Sequence, residues 1–87
     1  MDLGLKGRKA IVCAASKGLG RGCAESLARE GVVITIVART EGPLSEAAEA
    51  IRRATGATVT AITADTTTDA GRAKILEACP EPDILVN

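Results

Sequence analysis

The residues best suited to chemistry lie together near the start of the chain, in the stretch Cys13-Ala14-Ala15-Ser16-Lys17-Gly18-Leu19-Gly20. Apolar residues before it predict a buried strand, and apolar residues at helical spacing after it predict an amphipathic helix. At such a junction glycines let the backbone approach a phosphate, and the helix N-terminus offers free N–H groups and a favourable dipole. Lys17 precedes Gly18, so the Gly-Lys-Ser/Thr order of a P-loop is absent. The stretch predicts a phosphate-binding loop; the alternative is a tight turn without a ligand.

The composition excludes several classes of function. The 87 residues include no Phe, Trp, Tyr or His, and 11 basic residues balance 11 acidic ones. Without His there is no Ser-His or Cys-His nucleophile pair. Without aromatic residues there is no platform on which single-stranded nucleic acid could stack. The balanced charge provides no field to attract nucleic acid or an anionic membrane, so we expect neither as a partner.

The cysteines and the N-terminus indicate the compartment. Cys13, Cys23 and Cys79 are odd in number and lack CxxC spacing, so we expect small buried apolar side chains and no metal site. The first residues contain no apolar signal segment, and no apolar run is long enough to span a bilayer. We expect a cytoplasmic, soluble protein.

The elements that would position the glycine loop alternate regularly. Strands are predicted at residues 9–15, 32–38, 57–64 and 83–87, and helices from Leu19 to Gly31, from Pro43 to Gly56 and over 69–79 with Thr68 as N-cap. The expected core positions of the first two helices are Leu19, Cys23, Ala24, Leu27 and Ala28, then Leu44, Ala47, Ala48, Ile51 and Ala54.

The order β-α-β-α-β-α-β predicts an α/β fold with a parallel sheet in the strand order 3-2-1-4. The third strand would lie at or near an edge. The first two helices would cover one face and the third helix the other. One helix cannot cover a face of four strands, so we expect a partial, truncated Rossmann-type doubly wound sheet. Residues 1–87 would be the N-terminal part of a single domain of this kind.

Three motifs in order resemble those of the short-chain dehydrogenases/reductases. The family motif Thr-Gly-x-x-x-Gly-x-Gly aligns without gaps with the stretch from Cys13 to Gly20, Asp65 matches an Asp after the third strand, and residues 83–87 look like the lead-in to Asn-Asn-Ala-Gly. Cys13 and Ala14 depart from the usual Thr and first Gly. The loop itself looks like that of proteins labelled 3-oxoacyl-carrier-protein reductase-like.

The resemblance implies a set of cofactor-binding residues. Ser16, Lys17, Gly18 and Leu19 would line the phosphates, Gly20 would allow close helix packing, Asp65 and Thr66 would approach the adenine, and Asn87 would lie against the adenosine ribose. The complete set is Ala14, Ser16, Lys17, Gly18, Leu19, Gly20, Arg39, Thr40, Asp65, Thr66 and Asn87. Asp65 could instead form an Asx-type turn or a helix cap, and Asn87 could matter for strand register alone.

Arg39 bears on the choice of nicotinamide cofactor. An acidic residue at the end of the second strand would bind both ribose hydroxyls and repel a 2′-phosphate, but this chain has Ala38-Arg39-Thr40 there. A guanidinium suits a phosphate, and Lys17 could add a second positive charge. Within the family this pair looks like the NADP(H) pattern, with NAD(H) still possible. The alternatives are a solvated Arg39 or one paired with Glu41.

The resemblance implies an NADP(H)-dependent oxidoreductase that moves hydride between nicotinamide and a carbonyl or alcohol substrate. The family's catalytic Ser, Tyr and Lys, the last two in Tyr-x-x-x-Lys, cannot lie in a chain without Tyr, so this segment would supply cofactor binding and no catalytic residue. The complete protein would be a homo-oligomer, a dimer or tetramer. The alternative is a non-catalytic NADP(H)-binding sensor. A methyltransferase would need an acidic residue where Arg39 stands, which disfavours that class.

Overall fold

Four parallel strands alternate with three helices in the computed structural model, which describes residues 4–13 and 18–86. The elements are β1 (Lys9–Cys13), α1 (Gly18–Arg29), β2 (Val33–Ala38), α2 (Glu41–Thr55), β3 (Val59–Thr63), α3 (Asp69–Ala78) and β4 (Ile84–Val86). The strands pair in the order β3-β2-β1-β4, and every pair is parallel. The predicted α/β fold and strand order are confirmed. Residues 14 and 15, predicted at the end of the first strand, and residue 87 lie outside the described residues.

The two central strands are apolar on both faces because helices pack on both sides of them. Ile34 and Ile36 of β2 lie fully buried in the core that α1 and α2 share with the sheet. Val37 of the same strand faces the other way and packs with Ile11, Ile75 and Cys79. The first two helices therefore cover one face and α3 the other, as predicted.

Two predicted core positions of the helices are wrong. Cys23 is exposed because the buried stripe of α1 runs through Ala24 and Ala28, and its neighbour at position 23 is turned about 100° away. In α2 burial ends at Ile51, so Ala54 in the last turn is exposed. Cys79 is buried as expected. No helix among residues 4–13 and 18–86 has the length and hydropathy required to cross a bilayer.

The C-terminal end of α2 and the N-terminal end of α3 form as their sequences predict, whereas α2 begins at Glu41, two residues before the predicted Pro43. Gly56 closes α2 in the left-handed conformation, with φ of 71°, and its N–H donates to the carbonyl of Arg52 at 2.8 Å. A residue with a Cβ adopts that conformation only at a cost, which explains the glycine. Thr68 is the N-cap of α3, and its hydroxyl accepts from the N–H of Gly71 at 2.9 Å. These caps fix where the connecting loops leave the helices.

Strand β3 forms an edge of the sheet, as predicted. The carbonyl of Thr58 accepts from Ile34 of β2, so the alternate carbonyls of Val59 and Thr63 point away from the sheet. Both have cationic partners: Arg52 Nε donates to Val59 at 3.0 Å, and Lys74 Nζ donates to Thr63 at 2.8 Å. Side chains from α2 and α3 thus occupy the first and last of the three outward carbonyls, with that of Ala61 between them.

Candidate functional site

An open depression of about 490 Å³ lies at the carboxyl ends of β1, β2 and β3. The parallel register sets these ends level, because Cys13 pairs with Val37 and Ala38 pairs with Thr63. The residues lining the depression are Cys13, Val37, Ala38, Arg39, Thr40, Pro43, Ala64, Asp65, Thr66 and Thr67. In open α/β sheets this end of the strands is where ligands bind.

Asp65 forms an Asx turn at the rim of the depression. Its Oδ1 accepts from the Thr67 N–H at 2.9 Å and from the Thr67 hydroxyl at 2.6 Å. The turn considered from the sequence is therefore present, but it uses one carboxylate oxygen only. No hydrogen bond from the described residues reaches Oδ2, which remains an acceptor for a ligand.

The Asx turn also lowers the pKa of Asp65, whose carboxyl is ionised at neutral pH. The hydroxyl of Thr67 lowers the pKa of Asp65 most, followed by the Thr67 N–H, and the positive charge of Arg39 lowers it further. Hydrogen bonds to a carboxylate favour its ionised form. At neutral pH this side chain therefore accepts hydrogen bonds and does not donate them.

Arg39 brings a positive charge to the same depression. It lies exposed at the carboxyl end of β2, and no described ion pair joins it to Glu41 or to any other acid. Among the described arginines only Arg21 shares this lack of an ion pair, whereas partners are present for Arg8, Arg29, Arg52, Arg53 and Arg72. The guanidinium of Arg39 is thus free to bind an anion.

The wall between these charged groups is mostly apolar. Ala38, Pro43 and Ala64 contribute aliphatic surface above the buried Val37, which suits a flat ring with polar groups at its edge. Cys13 is half-buried here, and burial raises the pKa of its thiol, so the thiol stays protonated at neutral pH. The described residues hold no group of three His, Cys, Asp or Glu side chains that could bind a metal ion.

The structure brings four of the predicted site residues together: Arg39, Thr40, Asp65 and Thr66 all line the depression. Gly18, Leu19 and Gly20 form the first turn of α1. Four others lie outside the described residues, namely Ala14, Ser16, Lys17 and Asn87. Thr67 was not among the predicted site residues, although the Asp-x-Thr spacing is typical of an Asx turn that engages it.

Comparisons with known proteins point to dehydrogenases and reductases. A family model for short chain dehydrogenase matches residues 8–87. An uncharacterised oxidoreductase of Bacillus subtilis is 34% identical over 88 residues, which is 100% of this chain and 33% of that protein. L-Sorbose reductase from Gluconobacter frateurii, solved in complex with NADPH and L-sorbose, has a TM-score of 0.94 at 35% identity and covers 100% of this chain and 35% of its own.

A further solved structure extends the likeness. A short-chain dehydrogenase from Sphingobium yanoikuyae in complex with NADPH has a TM-score of 0.78 at 32% identity, covering 90% of this chain and 32% of its own. The chain therefore spans about a third of the length of the proteins that it resembles.

Proposed function

The chain belongs to the short-chain dehydrogenase family, and from that premise we propose that it binds NADP(H) at the carboxyl ends of β1, β2 and β3. The whole protein would use the bound nucleotide to reduce a carbonyl or oxidise an alcohol. The nicotinamide supplies the hydride chemistry, and the protein binds and orients it. The segment of 87 residues has no Tyr, so its own residues would hold the nucleotide and leave proton transfer to other parts of the protein.

The observation that carries the proposal is the unpaired guanidinium of Arg39 at the end of β2. A 2′-phosphate on the adenosine ribose needs a cation at this position, whereas a cofactor without that phosphate is favoured by an acidic residue. Two solved relatives bind NADPH, which supports the same choice here. Arg39 would bind the phosphate, with Thr40 beside it as a hydroxyl donor.

The adenine would lie in the apolar part of the depression. Asp65 presents a carboxylate that is ionised and has one free oxygen, so it can accept from the exocyclic amino group of the base. Thr66 lines the same rim. For the pyrophosphate and ribose the proposal keeps the residues that the family resemblance implies: Ala14, Ser16, Lys17, Gly18, Leu19, Gly20 and Asn87.

The test compares NADPH and NADH binding to the full chain before and after Arg39→Ala. We expect the Kd for NADPH to rise at least about tenfold, because a charge-assisted contact to the phosphate is lost. The Kd for NADH should change by less than about twofold. NADPH fluorescence provides the titration.

Arg53→Ala is the matched control. Arg53 is also an exposed arginine, but it pairs with Glu49 on the outer surface of α2 and does not line the depression. This control variant should bind both nucleotides as the unchanged protein does. Equal affinities for NADPH and NADH that Arg39→Ala leaves unaltered would exclude the proposed preference.

A further inference from the structure

The loop that carries Asp65 lies directly against the first turn of α3, and Gly71 makes this approach possible. A Cβ at position 71 would lie 1.8 Å from the carbonyl oxygen of Asp65 and 2.9 Å from the hydroxyl oxygen of Thr68. The first distance is far inside the contact limit, so any side chain at this buried position would displace the backbone at Asp65. Only a glycine permits the observed arrangement.

Hydrogen bonds from the same helix hold the loop at two successive carbonyls. The Thr68 hydroxyl lies 3.1 Å from the carbonyl oxygen of Asp65 and donates to it, while accepting from the N–H of Gly71. One residue along, Arg72 Nη1 donates to the carbonyl of Thr66 at 3.1 Å, and its other terminal nitrogen pairs with Asp69. The backbone under the Asp65 carboxylate is therefore fixed from the helix side.

Neither Gly71 nor Arg72 lines the depression. We propose that these two residues of α3 are positioning residues for the adenine end of the nucleotide, holding the loop from Asp65 to Thr67 where the carboxylate meets the adenine amino group. Thr67 holds one carboxylate oxygen of Asp65 by hydrogen bonds. Thr68 and α3 hold the carbonyls of Asp65 and Thr66, and so fix the backbone that carries the side chains of Asp65 and Thr67. The inference rests on the proposed function, because it assumes a nucleotide in the depression.

The experiment measures discrimination between adenine and hypoxanthine in the bound nucleotide. The full chain is titrated with NADPH and with its hypoxanthine analogue, in which an oxo group replaces the amino group. The unchanged protein should bind the adenine form about tenfold tighter, as expected for a hydrogen bond to a charged acceptor. Gly71→Ala should reduce this affinity ratio from about ten to a value between about 1 and 3, chiefly by raising the Kd of the adenine form.

Gly22→Ala is the matched control, since it is the same change inside a helix. A Cβ at Gly22 meets no atom of residues 4–13 and 18–86 within 4 Å, so the ratio should stay at the value of the unchanged protein. Arg72→Met serves as a second variant in case Gly71→Ala fails to fold. The Arg72 side chain is 54% exposed, so its removal should leave the fold intact and lower the ratio about threefold.

The outcomes separate this inference from the proposed function. If the folded variants keep the full ratio, or weaken both analogues equally, the positioning role is wrong and NADP(H) binding stands. If the unchanged protein binds NADH better than NADPH, the NADP(H) preference is wrong, and the same ratio measured with NADH and its hypoxanthine analogue decides the positioning role. If it binds neither nucleotide, the proposed function and the positioning role are both wrong. If it binds NADPH but does not distinguish the two bases, only the positioning role is wrong.

Discussion

At the scale of single residues, the two carboxylate oxygens of Asp65 have different environments. Oδ1 accepts two hydrogen bonds from Thr67, whereas Oδ2 accepts none from the described residues. The same carboxylate is thereby held in place, kept ionised and left able to accept a further bond. The Asx turn was the alternative to a ligand-binding role for Asp65, but because it uses only Oδ1, the turn and a binding role are compatible.

The pKa of Asp65 should respond to Thr67. We expect Thr67→Val to raise it towards the ordinary value, because the hydroxyl lowers it most and valine keeps only the N–H donor. Arg39→Ala should raise it by less, since Arg39 is the smallest cause. A carboxyl-carbon NMR titration measures both, and a larger shift from Arg39→Ala would contradict this order.

The direction of the pH dependence follows from the lowered pKa. The folded state binds the Asp65 proton less tightly than the unfolded state, so the hydrogen bonds of Thr67 stabilise the fold fully above the unfolded value, about 4. That contribution is lost as the pH falls from there through the lowered value of the folded state. Thr67→Val should therefore flatten the pH dependence of unfolding in this acidic range.

Some of these residue roles could be anticipated from the sequence and others could not. Arg39 was predicted from its place at the end of the second strand, and Asp65 from its match to the Asp that the short-chain dehydrogenases/reductases carry after the third strand; the structure brings both to one depression. Gly71 gave no such signal, since its importance depends on how closely the loop approaches the helix. Contacts of that kind depend on packing that the spacing of residues along the chain does not encode.

At the scale of elements, apolar periodicity located all three helices and all four strands to within a few residues. The errors at Cys23 and Ala54 have a common cause. Both residues are small and apolar, and periodicity assigns such residues to a buried face even when no neighbouring element covers them. By contrast, the caps at Gly56 and Thr68 were predictable because they depend on local backbone chemistry.

The cap of α2 provides a stability test. Gly56→Ala should lower the free energy of unfolding by about 1 kcal/mol, because alanine adopts the left-handed conformation unfavourably. Gly56→Asn should cost less, since asparagine tolerates that conformation. Urea unfolding of the two variants measures the difference, and equal losses would show that backbone conformation is not the cause.

At the scale of the whole molecule, the candidate site is formed by residues that are far apart in the sequence. Cys13, Arg39 and Asp65 follow three different strands, and only the parallel pairing of β1, β2 and β3 brings them to one depression. A nucleotide bound there, as proposed, would therefore stabilise the paired sheet by mass action, because the unfolded chain offers no equivalent site.

The cationic partners of β3 also act at this scale. We expect the double variant Arg52→Gln with Lys74→Gln to aggregate faster, because it exposes the outward carbonyls of Val59 and Thr63. Arg21→Gln with Arg53→Gln removes the same charge without contacting β3 and is the control. Light scattering at a temperature where all variants remain folded measures the rates; equal rates would assign the effect to net charge.

These side-chain bonds make the two margins of the sheet unequal. Along β3, another strand could pair only by displacing both Arg52 and Lys74 from the carbonyls that they occupy. At the opposite margin, β4 pairs with β1 and has no described side-chain donor on its backbone carbonyls. A strand that pairs with β3 would therefore have to displace two side chains, whereas one that pairs with β4 would displace no side chain of the described residues.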